Sequence, residues 1–213
     1  MEIKIMLKPE WISWDDIHSL LLIAHQKNIK KGITMAVPQL SGEDFHKKLG
    51  SEGQCLVALD HDTLVGTTSM VYYKGTHWYD KGKFVAYSMG TGILPNYQGL
   101  GIAEELYRLR DIYVREKNVD LMRADTAENN VYIRKTSKHD GWVDVDFISA
   151  KSGHYSVVFV KWLTNCPFTE AYINRKFRIS KFLTKLQYKP GRIERSKVLT
   201  IICRLARRII YFY

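Results

Sequence analysis

The chain has 213 residues, of which 46% are hydrophobic and 25% are charged, so it is long and apolar enough to bury the core of one or two domains. Three cysteines at scattered spacing indicate neither a disulfide framework nor a metal site, and they favour a reducing cytoplasm. The N-terminal region lacks the basic and apolar pattern of a secretion signal. The formal net charge of +10 falls in residues 164–213, which hold 12 Lys or Arg and 2 Asp or Glu.

Hydrophobic periodicity predicts strands and helices along most of the chain. The predicted strands cover residues 2–7, 54–59, 63–73, 84–93, 119–124, 142–150 and 154–163. The predicted helices cover residues 13–26, 41–50, 102–117 and 128–139, and residues 28–39 and 75–82 are predicted as loops. Ser13 is predicted to cap the first helix, with Asp16 three residues later in its first turn. Within 102–117 the apolar positions recur at helical spacing and are predicted to be core: Ile102, Leu106, Leu109 and Tyr113.

The most informative segment joins the strand ending at residue 93 to the helix beginning at residue 102. It reads Ile-Leu-Pro-Asn-Tyr-Gln-Gly-Leu-Gly-Ile-Ala over residues 93–103. Gly99 and Gly101 have no Cβ, so a ligand can approach their backbone closely. The N–H groups of a first helical turn have no intrahelical acceptor and carry partial positive charge. A strand, a glycine turn and a helix N-terminus therefore predict a seat for a phosphate.

Two other kinds of phosphate site fit this segment less well. A P-loop needs Gly-Lys-Ser/Thr at the helix start, where this chain has Gly101, Ile102 and Ala103. A dinucleotide-binding fold would use Gly99, Gly101 and an acidic residue such as Asp125 after the next strand. However, the third glycine of that pattern is replaced by Glu104, a bulky anion where the helix must pack closely.

The segment resembles the acyl-CoA pyrophosphate motif of the GCN5-related N-acetyltransferases (GNAT). That motif reads Arg/Gln-x-x-Gly-x-Gly/Ala after a Val-x-Pro strand end. Gln98, Gly101 and Ala103 fill its core positions, and Ile93 and Pro95 fill its strand-end positions.

A second family pattern, Asn-x-x-Ala-x-x-x-Tyr-x-x-x-Gly-Phe, matches residues 130–142, with Asn130 and Gly141 in register. The resemblance covers residues 1–163 and implies an α/β (α+β) fold. In that fold a mixed, mostly antiparallel, twisted sheet of seven strands is flanked by helices.

The resemblance further implies acetyl-CoA as co-substrate and direct transfer to a primary amine in a ternary complex. The histidines and cysteines show no clustered spacing, so no metal is expected. The expected acceptor is a small molecule such as an amino sugar or an amino-acid derivative, because the loop at 28–39 and the hairpin tip near Gly153 would wall a pocket. Backbone groups of Ile93 and Leu94 are expected to bind pantetheine and the thioester oxygen, and Asn130 the pantetheine or adenosine part. The full set implied to bind CoA is Ile93, Leu94, Gln98, Gly99, Leu100, Gly101, Ile102, Ala103 and Asn130.

The catalytic groups depart from the family pattern. The family tyrosine that protonates the leaving thiolate falls on Ser137, whose hydroxyl is shorter and far less acidic. A CoA thiol with a pKa of roughly 8–9, close to that of cysteine, can leave largely unaided. No carboxylate lies in residues 84–93, where the family often has a glutamate. Tyr87, Ser88 and Glu128 are therefore the candidate bases, acting through a water, although each also fits an ordinary sheet or turn position.

These departures leave two other functions open. One is a non-catalytic or degenerate acyl-CoA-binding module. The other is an acyltransferase whose donor is a longer acyl-CoA or an acyl carrier protein.

Residues 164–213 lie outside the family core, so the chain is predicted to consist of a domain over 1–163 and a basic helical extension over 164–213. Residues 172–188 are predicted as a basic and aromatic helix or turn. Residues 196–213 are predicted as a helix, with Arg204, Arg207 and Arg208 beside one apolar face formed by Val198, Ile201, Ile202, Leu205, Ile209 and Phe212.

Three interpretations of this extension are open. It is a solvated basic face packed on the domain, a helix on the anionic inner face of the membrane, or a surface for an acidic partner such as a carrier protein or nucleic acid. The expected location remains cytoplasmic, and the second interpretation adds peripheral attachment to the membrane. A homodimer is also left open.

Overall fold

The computed structural model describes residues 2–31, 33, 37–149, 154–189, 193–194 and 196–212. The chain divides into two compact units. The first comprises Met1–Tyr73 and Phe84–Val119, and the second comprises Lys74–Lys83 and Asp120–Tyr213.

The described residues of the first unit form four strands and four α-helices. In chain order they are β1 (Ile3–Leu7), α1 (Trp14–Ala24), α2 (Gln26–Lys30), α3 (Gly42–Leu49), β2 (Gln54–Asp60), β3 (Thr63–Lys74), β4 (Phe84–Ile93) and α4 (Ile102–Glu116). The strand order is β1-β2-β3-β4. β1 and β2 run antiparallel, with Ile3 opposite Asp60 and Leu7 opposite Leu56. The prediction of a loop over 28–39 is wrong at its ends, where α2 continues to Lys30 and a single 3₁₀ turn spans Val37–Gln39.

Capping sets the start of α1, as the sequence predicts. The backbone N–H of Asp16 donates to Ser13 Oγ at 3.0 Å, and the Ser13 N–H donates back to the Asp16 carboxylate at 2.8 Å. This reciprocal box satisfies two N–H groups that the helix itself leaves unpaired. The buried face of α1 then packs with α3 over the sheet, in a core that includes Ile17, Leu21 and Phe45.

The apolar face of α4 is only partly as predicted. Ile102 and Leu106 are buried, but Leu109 and Tyr113 are only half-buried, so the prediction of these two as core is wrong. The inward positions continue instead at Arg110 and Val114. A spacing of four residues keeps the face in line along the helix, and a charged residue occupies one of its positions.

The second unit contains the remaining elements. They are β5 (Leu121–Ala127), α5 (Val131–His139), β6 (Val143–Ser149), β7 (Tyr155–Trp162), α6 (Glu170–Gln187), β8 (Tyr188–Lys189), β9 (Ile193–Glu194) and α7 (Lys197–Phe212). The strand order is β5-β7-β6, and both pairs are antiparallel. The strand predicted over 119–124 in fact begins at Leu121 and continues to Ala127. The predicted hairpin tip at 151–153 lies outside the described residues.

Strands β1 to β7 give the mixed, mostly antiparallel sheet of seven strands, flanked by helices, that the resemblance implies. Helix α6, in the predicted extension, packs on β6 within the second unit. Its Thr184 hydroxyl donates to the Phe147 carbonyl at 2.7 Å. The division at residue 163 rests on the family resemblance and stays a prediction. In the described part of the chain, no helix combines the length and the apolar character needed to cross a membrane.

Candidate functional site

The turn before α4 presents an open backbone surface. Gly99 and Gly101 have φ angles of +80° and +77°, and a Cβ placed on either residue would meet no atom within 4 Å. L-residues with a side chain pay roughly 1–2 kcal/mol for this left-handed conformation, so glycine is the residue that forms the turn without strain. Residues 98–101 are exposed. A ligand can therefore reach the backbone of this turn directly.

Helix α4 also begins without a side-chain cap, because its N-cap residue is Gly101. By contrast, side chains cap α1, α3, α5 and α6, through Ser13, Ser41, Asn130 and Thr169 respectively. The first-turn N–H groups of α4 thus have no acceptor from their own cap. Such a helix start favours an anion, because the unpaired N–H groups and the helix dipole both carry positive potential.

The strand end before this turn is held by bonds within the chain. Gln98 turns back and donates from Nε2 to the Ile93 carbonyl at 3.0 Å. The Leu94 N–H donates to the Val65 carbonyl at 2.9 Å, and the Leu94 carbonyl accepts from the Tyr97 N–H at 2.9 Å. Gln98 therefore shapes the turn, and a pantetheine amide bound at Ile93 or Leu94 would have to share or displace these bonds.

One glycine of this region was missed by the sequence analysis. Gly90 interrupts β4 three residues before Ile93, with φ +59°, and a Cβ there would lie 2.4 Å from Cζ of Phe45. A left-handed residue within a strand disturbs the regular ladder and bends the strand. An isolated glycine in a strand pattern was the available signal.

Tyr87 and Ser88, two of the predicted catalytic residues, lie half-buried on β4. The Ser88 hydroxyl accepts a hydrogen bond from Nη1 of Arg110 at 3.3 Å. Arg110 is only 6% exposed and is held by the Asp111 carboxylate at 2.9 Å, over the ring of Tyr107. A hydroxyl that accepts from a guanidinium has less capacity to take a proton, so this contact makes Ser88 a weak base.

Glu128, the third candidate base, is the centre of an ion-pair cluster in the second unit. Its Oε1 lies 2.7 Å from Nζ of Lys181 and 3.0 Å from Nζ of Lys185, both on α6. Partial burial favours the neutral carboxyl, but the hydrogen bonds and charges of the two lysines outweigh burial and lower the pKa of Glu128. A carboxylate stabilised in this way has little tendency to accept a proton.

Asn130 and Ser137 lie at opposite ends of α5. Asn130 is the N-cap residue, where its Nδ2 donates to the Thr126 hydroxyl at 2.9 Å. Ser137 is half-buried, and its carbonyl accepts from the N–H groups of Asp140 and Trp142, each at 3.1 Å. Tyr87 and Ser88 thus belong to the first unit, and Glu128 and Ser137 to the second.

A cluster of charged residues in the second unit was not predicted. Asp80 is fully buried, and burial raises its pKa against the opposing effects of the His77 N–H and Arg123. The His77 N–H donates to Asp80 Oδ1 at 2.6 Å, and Nη1 of Arg123 lies 3.9 Å from Asp80 Oδ2. Burial and the charge of Arg123 lower the pKa of His77. No periodicity or motif marks these residues, since they meet only after the loop packs.

No metal site is seen among the residues described, because none of their His, Cys, Asp and Glu side chains form a group of three or more placed to hold an ion.

Comparisons with known proteins agree with this fold. A family model described as the acetyltransferase (GNAT) family matches residues 14–136. A search of the curated proteins found no match.

Solved acetyltransferase structures resemble most of the chain. One from Staphylococcus aureus Mu50, of the GNAT family, is 16% identical, with a TM-score of 0.59 over 76% of this chain and 100% of its own. A GNAT acetyltransferase from Elizabethkingia anophelis with acetyl-CoA bound is 12% identical, with a TM-score of 0.55 over 76% and 98%. The NatC complex bound to Gag peptide and CoA contains a chain that is 13% identical, with a TM-score of 0.61 over 77% and 100%. At these identities the likeness concerns the fold.

Proposed function

Because the chain belongs to the GNAT acetyltransferase family, we propose that it transfers an acetyl group from acetyl-CoA to the primary amine of a small molecule. The acceptor is an amino sugar or an amino-acid derivative, and transfer is direct while both substrates are bound. The observation that carries the proposal is the uncapped start of α4 behind two left-handed glycines with open space above them.

The residues of the chain fit the CoA pyrophosphate. Its negative charge would lie over Gly99 to Ala103, where the turn is exposed and the backbone can come close. The bond from Gln98 to the Ile93 carbonyl fixes the turn before the ligand arrives. A preformed seat lowers the ordering cost of binding. Asn130, at the start of α5, would contact the pantetheine or adenosine part.

The reaction needs little acid or base catalysis from the side chains. Bringing the amine and the thioester together in the right orientation supplies much of the rate enhancement. The departing thiolate needs no strong acid, so Ser137 contributes little. The amine proton leaves through water near Tyr87. The other two candidate bases are weaker, because the Ser88 hydroxyl accepts a hydrogen bond from Arg110 and two lysines stabilise the Glu128 carboxylate.

Calorimetric titration with CoA tests the pyrophosphate seat. Gly101→Glu should weaken binding by at least tenfold, about 1.4 kcal/mol, because it places a carboxylate where the pyrophosphate lies. Gly82→Glu is the matched control, since Gly82 has nearly the same φ, +76°, and the same open space. Both variants place a glutamate side chain on a residue with φ near +76°. Equal affinity for CoA in the two variants would show that the pyrophosphate does not bind at this turn.

A screen of amines for CoA release tests the acceptor. Amino sugars and amino-acid derivatives should turn over, and short peptides should not. Turnover of peptides alone would show that the acceptor is a peptide and not a small molecule. A peptide acceptor is a fair rival, because the NatC complex has a bound peptide. Tight CoA binding without turnover of any amine would favour the non-catalytic acyl-CoA-binding module.

The same assay tests the proton donor. Ser137→Ala should lower kcat by less than about tenfold, equivalent to 1.4 kcal/mol on the barrier. A larger loss with unchanged CoA affinity would restore a conventional general-acid role to Ser137.

A further inference from the structure

Helix α7 is attached to the second unit by a polar face. Among the described side chains of α7, those of Thr200 and Cys203 are buried, 4% and 0% exposed. The Arg207 guanidinium donates to the Thr184 hydroxyl of α6 at 2.9 Å and also to the Gln187 side-chain carbonyl. Ser196 directly precedes the helix, and its Oγ accepts from the Leu199 N–H at 3.1 Å. Among the described residues of α7, those that are buried or bonded to α6 are therefore small or polar.

A row of apolar side chains on α7 faces away from this contact. Five aliphatic residues are each more than half exposed and are called here the apolar stripe: Val198 (67%), Ile201 (57%), Ile202 (53%), Leu205 (53%) and Ile209 (64%). Their spacing of three and four residues places them on one side of a helix with 3.6 residues per turn. A helix that covers a domain turns such a face inward. In α7 the arrangement is reversed, which argues against the interpretation that the stripe packs on the domain.

The cations of the extension differ in their exposure. Lys181 and Lys185 are paired with Glu128, Arg207 is bonded to α6, and Lys176 is 6% exposed. Among the described side chains of the extension, the exposed cations are Arg175 and Arg178 on α6 and Lys197, Arg204 and Arg208 on α7. At 100° per residue the last three lie along one edge of the apolar stripe. Residues 197–212 contain no Asp or Glu.

We propose that the apolar stripe of α7 inserts into an anionic lipid bilayer, with Lys197, Arg204 and Arg208 at the headgroups. A flat row of aliphatic side chains with long cations at its edge suits the boundary between acyl chains and headgroups. A second copy of the chain fits the stripe less well, because pairing two copies would bring like charges together. Each cation near an anionic surface strengthens attachment, which weakens as salt screens it.

The experiment is co-sedimentation of the full chain with vesicles. Vesicles of phosphatidylglycerol and phosphatidylcholine in equal parts are compared with vesicles of phosphatidylcholine alone. At about 0.1 M salt the chain should partition onto the anionic vesicles at least tenfold better than onto the neutral ones. At about 1 M salt, where the screening length is near 3 Å, this preference should largely disappear.

Two pairs of variants separate the apolar and the charged contributions. Ile201→Gln with Leu205→Gln should lower partition at least tenfold, since both side chains leave water when the helix inserts. Its control is Ile23→Gln with Ile112→Gln, two exposed residues of α1 and α4 whose replacement should change nothing. Arg204→Gln with Arg208→Gln should weaken binding at low salt only. Its control, Lys27→Gln with Lys30→Gln on α2, removes the same charge elsewhere.

All substituted side chains are exposed, and glutamine favours helices about as well as the residues it replaces. Circular dichroism spectra and melting temperatures like those of the wild type would confirm that the variants fold. If the variant Ile201→Gln with Leu205→Gln does not fold, Ile202→Ala with Ile209→Ala provides the same test with a better helix former.

Several results would overturn the proposal. One is equal partition of the chain onto anionic and neutral vesicles. Another is partition of the variant Ile201→Gln with Leu205→Gln that equals that of the wild type. A third is a stable dimer that does not bind vesicles and that dissociates when Ile201 and Leu205 are replaced by Gln. That result would make the stripe an interface between copies. A fourth is binding to an acidic carrier protein or to nucleic acid that blocks the stripe, without binding to lipid.

Discussion

Replacing Glu128 by Gln removes the carboxylate that joins the segment between β5 and α5 to helix α6. Its Oε1 is within 3.0 Å of both Lys181 Nζ and Lys185 Nζ, and its side chain is 27% exposed. Partly exposed ion pairs contribute about 0.2–1 kcal/mol each, so losing two should cost about 1 kcal/mol of unfolding free energy. For a chain of this size that corresponds to a melting temperature lower by about 2–4 °C at pH 7.

The sign of the pH dependence follows from the pKa of Glu128, which the two lysines lower despite partial burial. A carboxyl with a depressed folded pKa stabilises the protein above its unfolded pKa, about 4.3 for glutamate. That stabilisation is lost as the pH falls through the folded value. The melting difference between wild type and Glu128→Gln should therefore be full at pH 7 and shrink in acid.

The assay is thermal unfolding at neutral and acid pH, combined with kcat for the best amine. Glu10→Gln is the control, because Glu10 is an exposed carboxylate of the first unit. In a double-mutant cycle, Lys181→Met and Glu128→Gln should cost less together than the sum of the single effects. If Glu128→Gln leaves the melting temperature unchanged and lowers kcat more than tenfold, Glu128 is the catalytic base and the ion-pair reasoning is refuted.

Three further predictions concern stability and reactivity. Gly90→Ala should cost more than about 2 kcal/mol in urea unfolding, from left-handed strain plus overlap with Phe45, whereas Gly82→Ala should cost only the strain, about 1–2 kcal/mol. Equal losses would show that the strand relaxes around Phe45. Arg207→Met should cost about 1–3 kcal/mol, because the buried Gln187 side-chain carbonyl and Thr184 hydroxyl on α6 lose their guanidinium donor, and should speed proteolysis at α7. Unchanged proteolysis would show that α7 is held by other contacts. In the folded protein one thiol, Cys166, should react rapidly with a thiol reagent, since the other two cysteines are buried. Rapid reaction of two or more would contradict the packing.

The residues that the sequence identified correctly are those whose structure depends on near neighbours. Ser13 and Asp16 cap α1 because they are three residues apart, and Gly99 and Gly101 form the turn because of their own backbone freedom. The strand at Phe84–Ile93 was predicted at its observed bounds. The family and its fold followed from these local patterns. The CoA contacts and the catalytic residues stay predictions.

Only the tertiary structure decided which faces are buried and which charges meet. Arg110 takes an inward position that periodicity assigned to Leu109, because Ser88 and Asp111 satisfy its guanidinium. Glu128 meets Lys181 and Lys185 more than fifty residues later in the chain. The sequence alone showed that α7 has an apolar side, but its outward direction depends on Arg207 and the partners that α6 offers. Spacing along a helix determines which residues share a face, whereas the packing of distant segments determines where that face points.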